Sequence, residues 1–287
     1  MLHRCGRESA GDGPLVTQQQ DIAGQPLLEA LSAIASQAAA AILAVRDVAA
    51  TRRDKVDRSP VTAADDAAEA VILDALHRLM PDVPVVSEEA VGRGVAVTPG
   101  DHFFLVDPLD GTREFLAGLD EYTVNIALAQ GGVPVIGVIA APAKGLLWRG
   151  GSSLGAERLR LSPGDPPRAA REHIRIRART KPAGAVRVLI SRSHPDAATD
   201  AYVSRLPQAE IVRCGSSLKF CQLAEGSADL YPRLQSMSQW DIAAGHALLV
   251  AAGGAITALD GTAVRYGGTG SYRVPGFIAC GDRSAVP

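Results

Sequence analysis

The run Asp107-Pro108-Leu109-Asp110-Gly111-Thr112 constrains this chain more than any other stretch. It follows His102-Phe103-Phe104-Leu105-Val106, an apolar run that reads as a buried strand. Proline removes a backbone donor and bars a regular strand from continuing, while glycine permits a tight turn. The turn therefore brings Asp107 and Asp110 together, with the Leu109 carbonyl between them. Carboxylates packed that closely repel one another unless a cation sits between them. Oxygen-only donors favour a hard cation, Mg²⁺ before Zn²⁺ or Cu²⁺. An ordinary acidic turn after a strand is the alternative, because Asp and Gly are common turn formers.

Two distant segments weigh against that alternative. Ser87-Glu88-Glu89 follows a second apolar strand, Val83-Pro84-Val85-Val86. Trp240-Asp241 opens a helix of small residues, Ile242 to Ala252, which Gly253-Gly254 ends. Taken singly, Asp241 is most simply a helix cap, and Glu88 and Glu89 a solvated strand end. Taken together, three acidic clusters at strand ends or a helix start are what a multi-metal phosphoryl-transfer site requires. There the metals clamp the attacking and leaving oxygens of an in-line displacement.

An acidic pair after a strand, then Asp-Pro-aliphatic-Asp-Gly-Thr, then Trp-Asp before a Gly/Ala-rich helix resembles the inositol monophosphatase superfamily of Mg²⁺-dependent, lithium-sensitive phosphatases. Four further runs are similar to the bacterial 3′(2′),5′-bisphosphate nucleotidases within it: Ser59 to Asp65, Ser191 to His194, Gly215 to Cys221 and Leu230 to Arg233. The likeness spans roughly residues 25 to 280. It implies an α/β fold, an α+β layered sandwich of the sugar-phosphatase and inositol-monophosphatase type in which helix and sheet layers alternate.

The resemblance also implies a division of labour. Glu88, Asp107 and the Leu109 carbonyl would hold one Mg²⁺, and Asp107, Asp110 and Asp241 a second, with a weaker third ion on Glu88 and water. Glu88 is favoured over Glu89 as the ligand. Asp65 would accept from the Thr112 hydroxyl that orients the nucleophilic water, a weak general-base relay in which Glu88 shares. Asp65 and Asp66 also suit the first turn of a helix for its dipole alone. Gly111 and Thr112 would aim backbone N–H groups at the scissile phosphate.

A second phosphate on the substrate needs donors away from the metals. Gly215, Ser216, Ser217 and Lys219 offer hydroxyls, a helix start and an ammonium. Ser191, Arg192, His194 and Arg233 supply further polar or cationic candidates, Tyr231 could pack on the base or sugar, and Asp241 would face the substrate as well. Helix caps, a surface lysine and an ordinary loop histidine are the plainer readings of the same residues. The implied reaction converts adenosine 3′,5′-bisphosphate to AMP and phosphate in sulfate assimilation, with 3′-phosphoadenylyl sulfate as a further substrate. Inositol monophosphate or fructose 1,6-bisphosphate hydrolysis is the nearest rival, and a non-catalytic bisphosphate sensor the distant one.

Bulk properties agree. The 287 residues suit one large domain or two tightly joined halves. A net charge of −2 argues against a nucleic-acid binder, which would be strongly basic. No apolar run is expected to be long enough to span a bilayer. The four cysteines, Cys5, Cys214, Cys221 and Cys280, lack metal-site spacing and read as reduced thiols of a cytoplasmic protein, with a peripheral position at the inner face of the membrane as the variant. The expected partner is a small nucleotide bisphosphate, and the expected state a monomer or homodimer.

Along the chain, residues 1–20 read as a flexible extension, 21–180 as an N-terminal half carrying most metal ligands, and 181–287 as a C-terminal half carrying the substrate residues and the last ligand. Helices are expected over Leu27 to Val45, Thr62 to Leu79, Ala197 to Leu206, Ser217 to Glu225 and Asp241 to Ala252, with a polar loop from Lys55 to Pro60. Tyr122 to Ala129 and Val133 to Ala140 form an expected hairpin around Gln130-Gly131-Gly132. Short strands are expected near Val186 to Ile190, Ile211, Asp229 to Tyr231, Ala255 to Thr257 and Phe277 to Ala279. Residues 155 to 183, rich in Arg and Pro, read as a connection with one short edge strand, and Arg171, Arg175, Arg177 and Arg179 as a solvated face.

Overall fold

Apolar residues recur every three or four positions from Leu27 to Ile42, and this stripe is what helix α1 (Gln25–Arg46) buries. The computed structural model describes residues 23–46, 53–54, 60–180, 184–268 and 271–286. The expected extension 1–20, Cys5 and residues 55–59 of the polar loop lie outside these. A two-stranded ribbon, β1 (Arg53–Asp54) and β2 (Pro60–Val61), leads into α2 (Ala63–Leu79). A capping box starts α2: Thr62 accepts from Ala64 N–H, while Asp65 accepts from Thr62 N–H.

The first large sheet follows. Its strands are β3 (Val85–Ser87), β4 (His102–Asp110), β5 (Thr123–Gln130), β6 (Val133–Ala141), β7 (Leu146–Gly151), β8 (Gly155–Arg160) and β9 (Glu172–Ile176), side by side in that order. Only β3 and β4 run parallel. Short helices α3 (Glu88–Gly92) and α4 (Thr112–Leu116) follow β3 and β4. The β5–β6 hairpin turns on Gly131 and Gly132, both at positive φ, as a two-residue turn that matches strand twist requires.

The second sheet is built from β10 (Val186–Ser191), α5 (Ala197–Val203), β11 (Ala209–Cys214), α6 (Leu218–Ala224), β12 (Leu230–Arg233), β13 (Met237–Ser238), α7 (Gln239–Ala251), β14 (Ala255–Ala258), β15 (Arg273–Val274) and β16 (Phe277–Cys280). Five of these strands form the sheet, in the order β11-β10-β12-β16-β14, and β13 pairs with β15.

Alternation along the strands sorts the core into layers. Phe104, Val106, Val124, Ile126 and Leu128 face α1 and α2. Phe103, Leu105, Ala127, Ala129 and Ile139 face α6 and α7, which on their other side meet Leu189, Tyr231, Phe277 and Ala279 of the second sheet. Val188, Ile190 and Leu230 then pack on Val203 of α5. The order helix, sheet, helix, sheet, helix is the expected alternating α/β sandwich. Helix α7 is held tightly between its neighbours: a Cβ on Gly137 of β6 would lie 2.2 Å from the Ala244 carbonyl oxygen, and one on Gly245 would lie 2.3 Å from the Phe220 ring.

Four expectations need correction. Pro108 does not end its strand; β4 continues to Asp110 through a register shift. The Arg/Pro-rich stretch carries two strands, β8 and β9, with Ala156 and Ile176 packing into one core layer and Leu159 into the other. Arg179 is not merely solvated, since it makes a two-pronged ion pair with buried Asp229 at 2.6 and 2.7 Å. Finally, α1 is long and apolar enough by length and composition to cross a membrane. Half of that stretch is buried against α2 and the first sheet, the arrangement of a core helix.

Candidate active site

The acidic turn owes its shape to a bulge. Asp107 pairs with Asn125 and Asp110 with Thr123, so β4 spends three steps where β5 spends two. Proline has no N–H to give the ladder, and the extra residue absorbs it. Leu109 N–H donates to Asp107 Oδ1 at 3.1 Å, which fixes that carboxylate. Gly111 then takes φ of 93° and starts α4.

The parallel pairing of β3 with β4 sets Ser87 beside Val106, so Glu88, at the start of α3, follows beside Asp107, still within β4. Asp241 arrives from the second half at the third position of α7, where Ser238 N–H donates to it at 3.2 Å. Ligand oxygens of Glu88, Asp107 and Asp241 all lie within 4.8 Å of one another. Glu89 is not in that group; it is buried, which removes the solvated reading.

The electrostatics are those of carboxylates crowded together and buried. Burial pushes the Asp110 carboxyl up to about 6, with Lys219 opposing the rise and Glu114 and Glu88 adding to it. Burial, then Asp110 and Glu88, push Asp241 well above the carboxylate range. Oxygen donors in mutual repulsion, with one backbone carbonyl among them, fit a hard divalent cation.

Thr112 Oγ1 lies 3.3 Å from Asp65 Oδ1 and 3.1 Å from the Leu109 carbonyl, so its single proton is shared between two acceptors. The other Asp65 oxygen accepts from Thr62 N–H and Thr62 Oγ1, both at 2.7 Å. The first-turn place of Asp65 and its contact with Thr112 are therefore both present, and the structure adds a capping role.

A cleft of about 270 Å³ opens above the carboxylates. Glu88, Asp107, Leu109, Asp110, Gly111 and Thr112 border it from the first half of the chain, and Ser191, His194, Ser216, Ser217, Lys219, Tyr231, Arg233 and Asp241 from the second. Arg233 donates to the His194 carbonyl at 3.0 Å and keeps a buried Nε that meets no partner among the described residues. Burial, then Arg113 and Arg233, lower the His194 pKa. Ser217 Oγ lies 2.7 Å from both Thr123 Oγ1 and Asn125 Oδ1, and Asn125 Nδ2 donates onward to Asp110 at 3.4 Å. Ser216 sits at φ of 48°, rare for a residue with a side chain and most often met where a site demands it.

Three expected substrate contacts are placed differently. Arg192 does not border the cleft, because both arms of its guanidinium pair with Glu121 at 2.6 and 2.8 Å. Gly215 does not border it either, and its N–H donates to the same Glu121 at 2.8 Å. Lys219 is not a surface lysine: its ammonium is buried, donates to the Cys214 and Ser216 carbonyls at 3.1 and 2.6 Å, and lies over the Tyr231 ring. The cleft also holds residues that sequence reasoning passed over, Arg113, Glu114, Ser236, Met237, Ser238 and Arg273. Ser238 was readable as the cap three residues before Asp241; nothing local marks Arg273, which reaches Ser236 and Ser238 from another strand.

The family model described as the inositol monophosphatase family matches residues 24–283. The chain is 40% identical over 261 residues to the 3′(2′),5′-bisphosphate nucleotidase CysQ of Salmonella typhimurium, covering 88% of this chain and 98% of that one. It is 42% identical over 223 residues to CysQ of Escherichia coli K12, covering 78% and 86%. Among solved structures, CysQ of Bacteroides thetaiotaomicron superposes with a TM-score of 0.74 at 32% identity, over 90% of this chain and 97% of that one.

Proposed function

This chain belongs to the inositol monophosphatase family, and on that premise we propose that it is a Mg²⁺-dependent 3′(2′),5′-bisphosphate nucleotidase that releases the 3′-phosphate of adenosine 3′,5′-bisphosphate. The observation that carries the reading is the cleft itself. Glu88, Asp107 and Asp241 bring an all-oxygen anionic cluster to it, and Arg233, His194 and Lys219 bring cationic and polar groups to the same cleft. A substrate with two phosphates can engage both sets of groups. The nucleotidase names of relatives about 40% identical agree with it.

In this reading Glu88, Asp107 and the Leu109 carbonyl hold one ion, and Asp107, Asp110 and Asp241 hold another. When bound, such cations supply Lewis-acid neutralisation of phosphate charge during transfer to water. The protein's own groups do the rest. Thr112 Oγ1, donating its hydrogen bond to Asp65 or the Leu109 carbonyl, turns a lone pair toward the attacking water. The Gly111 and Thr112 amides open α4 without helical partners and donate to the scissile phosphate. The Arg233 Nε, buried and unmatched, receives the distal phosphate, with Ser216 and His194 beside it.

The first half of the chain thus supplies most of the ion site, and the second half supplies Asp241 and the groups for the distal phosphate. The substrate is a by-product of sulfate assimilation, and the free, buried thiols of Cys214, Cys221 and Cys280 suit a reducing cytoplasm. A phosphate-release panel with Mg²⁺, with and without Li⁺, tests the proposal. Adenosine 3′,5′-bisphosphate should outpace inositol 1-phosphate and fructose 1,6-bisphosphate, and the reverse order would move the activity to a sugar phosphatase.

A further inference from the structure

Glu121 lies outside every motif, between α4 and β5, yet it touches both walls of the cleft. Its carboxylate takes the two arms of Arg192 at 2.6 and 2.8 Å and the Gly215 N–H at 2.8 Å. Its own carbonyl oxygen would lie 2.8 Å from a Cβ on Gly111 and 2.9 Å from one on Gly215. The turn that carries Asp110 and the loop that carries Ser216 are therefore packed against one peptide. A second tie lies alongside, where Ser193 Oγ donates to Glu114 Oε1 at 2.5 Å. Arg192 also donates to the Arg213 carbonyl at 2.9 Å, which draws the end of β11 into the same knot.

We propose that the Glu121–Arg192 pair is a positioning bolt that sets the gap between the carboxylate wall and the 215–219 wall, and with it the preference for substrates whose two phosphates span that gap. The inference rests on the nucleotidase reading for its substrate, but not for its geometry. Arg192 then acts on the substrate only through Gly215 and Ser216. A two-pronged guanidinium–carboxylate pair fixes direction as well as distance, which a single contact would not. Burial works against the Glu121 carboxylate, and the Arg192 and Gly215 hydrogen bonds more than offset it and hold its pKa below the usual value. Exposure of the Arg192 side chain does not make it a substrate cation, because both of its arms are already directed at Glu121.

The test uses Arg192→Met, Glu121→Gln and the double variant in the full chain. A bolt fails equally whichever side is removed. Each single variant should raise KM for adenosine 3′,5′-bisphosphate about tenfold, the scale of one charge-assisted contact, with a smaller fall in kcat. The double variant should be no worse than either single one. If Arg192 instead binds substrate directly, Glu121→Gln would release it and KM would hold or fall, which overturns the proposal. Hydrogen exchange of the 214–216 amides gives a readout independent of activity. It should quicken in both single variants even if the bisphosphate proves not to be the substrate. Unchanged exchange in folded variants overturns the bolt, whereas quickened exchange without bisphosphate turnover in the parent protein counts against the nucleotidase reading alone.

Discussion

Asp65 and Thr112, 47 positions apart, meet at 3.3 Å through a carboxylate that also caps α2. One oxygen closes the capping box and the other faces the hydroxyl, so the start of a structural helix and the Asp-Gly-Thr turn share a single side chain. This sharing makes two different variants informative. Asp65→Asn should cost about 1 kcal/mol of stability through the weakened cap and lower kcat by roughly ten- to a hundredfold through the disoriented hydroxyl. Thr112→Val should lower kcat similarly while the melting temperature stays within a degree or two of the parent, since the cap is intact. Steady-state kinetics and thermal melts on both proteins check the pair. Loss of activity only in proportion to loss of fold would remove the relay.

Asp241→Asn keeps the shape of a side chain whose charge burial, Asp110 and Glu88 all disfavour. Turnover with Mg²⁺ should fall at least about a hundredfold, the scale of losing a principal electrostatic stabiliser. The metal-free variant should melt no lower than the metal-free parent, because one repelling charge is gone. EDTA should abolish parent activity and Mg²⁺ restore it. Calorimetric titration with Mg²⁺ should show weaker binding in the variant, and equal binding would take Asp241 out of the ion site.

Lys219→Met should raise KM for the bisphosphate and lower the melting temperature together. Its ammonium donates to two carbonyls; Cys214 keeps the Arg192 N–H, but Ser216 loses this donor, at a cost of about 1–3 kcal/mol. A rise in KM at an unchanged melting temperature would mean that the ammonium serves substrate rather than the 214–216 loop.

His246 on α7 gives the pH dependence. Burial lowers its pKa to about 4, and Tyr266 OH lies 3.0 Å from Nδ1. The folded protein holds it neutral while the unfolded chain protonates it near pH 6.5. Its contribution is therefore complete above that value and is lost as pH falls toward 4, by about 3 kcal/mol at most. Urea unfolding at intervals from pH 7.5 to pH 4 should show the loss, and a His246→Gln protein should show a shallower slope. Parallel slopes would mean that other groups carry the acid sensitivity.

The residues of the acidic turn were legible because their neighbourhood is written in consecutive positions: an apolar strand, a proline, a glycine. The hairpin at Gly131-Gly132 was legible for the same reason. Arg192 was not. Its type and spacing suited a substrate cation, but its direction is set by Glu121, 71 residues earlier, which no local pattern connects to it. Lys219 read as a phosphate donor for the same reason, and only the fold of the 214–216 loop around it reveals two backbone carbonyls in its reach. Strands β8 and β9 escaped because β8 buries Ala156 and Leu159 on opposite faces, in two different core layers, so no simple alternation of apolar and polar residues marks it among the arginines.

Gly137 and Gly245 touch no carboxylate and border no cleft, yet they fix how thick the middle layer is. Helix α7 lies between a sheet and a neighbouring helix with no room for one more methyl on either side, and Asp241 rides on its first turn. A single carbon added at either glycine would push the whole helix sideways and carry that carboxylate away from Glu88 and Asp107. The tolerance of the anionic cluster is thus set at a distance, by two positions that contribute nothing to it but the absence of a side chain.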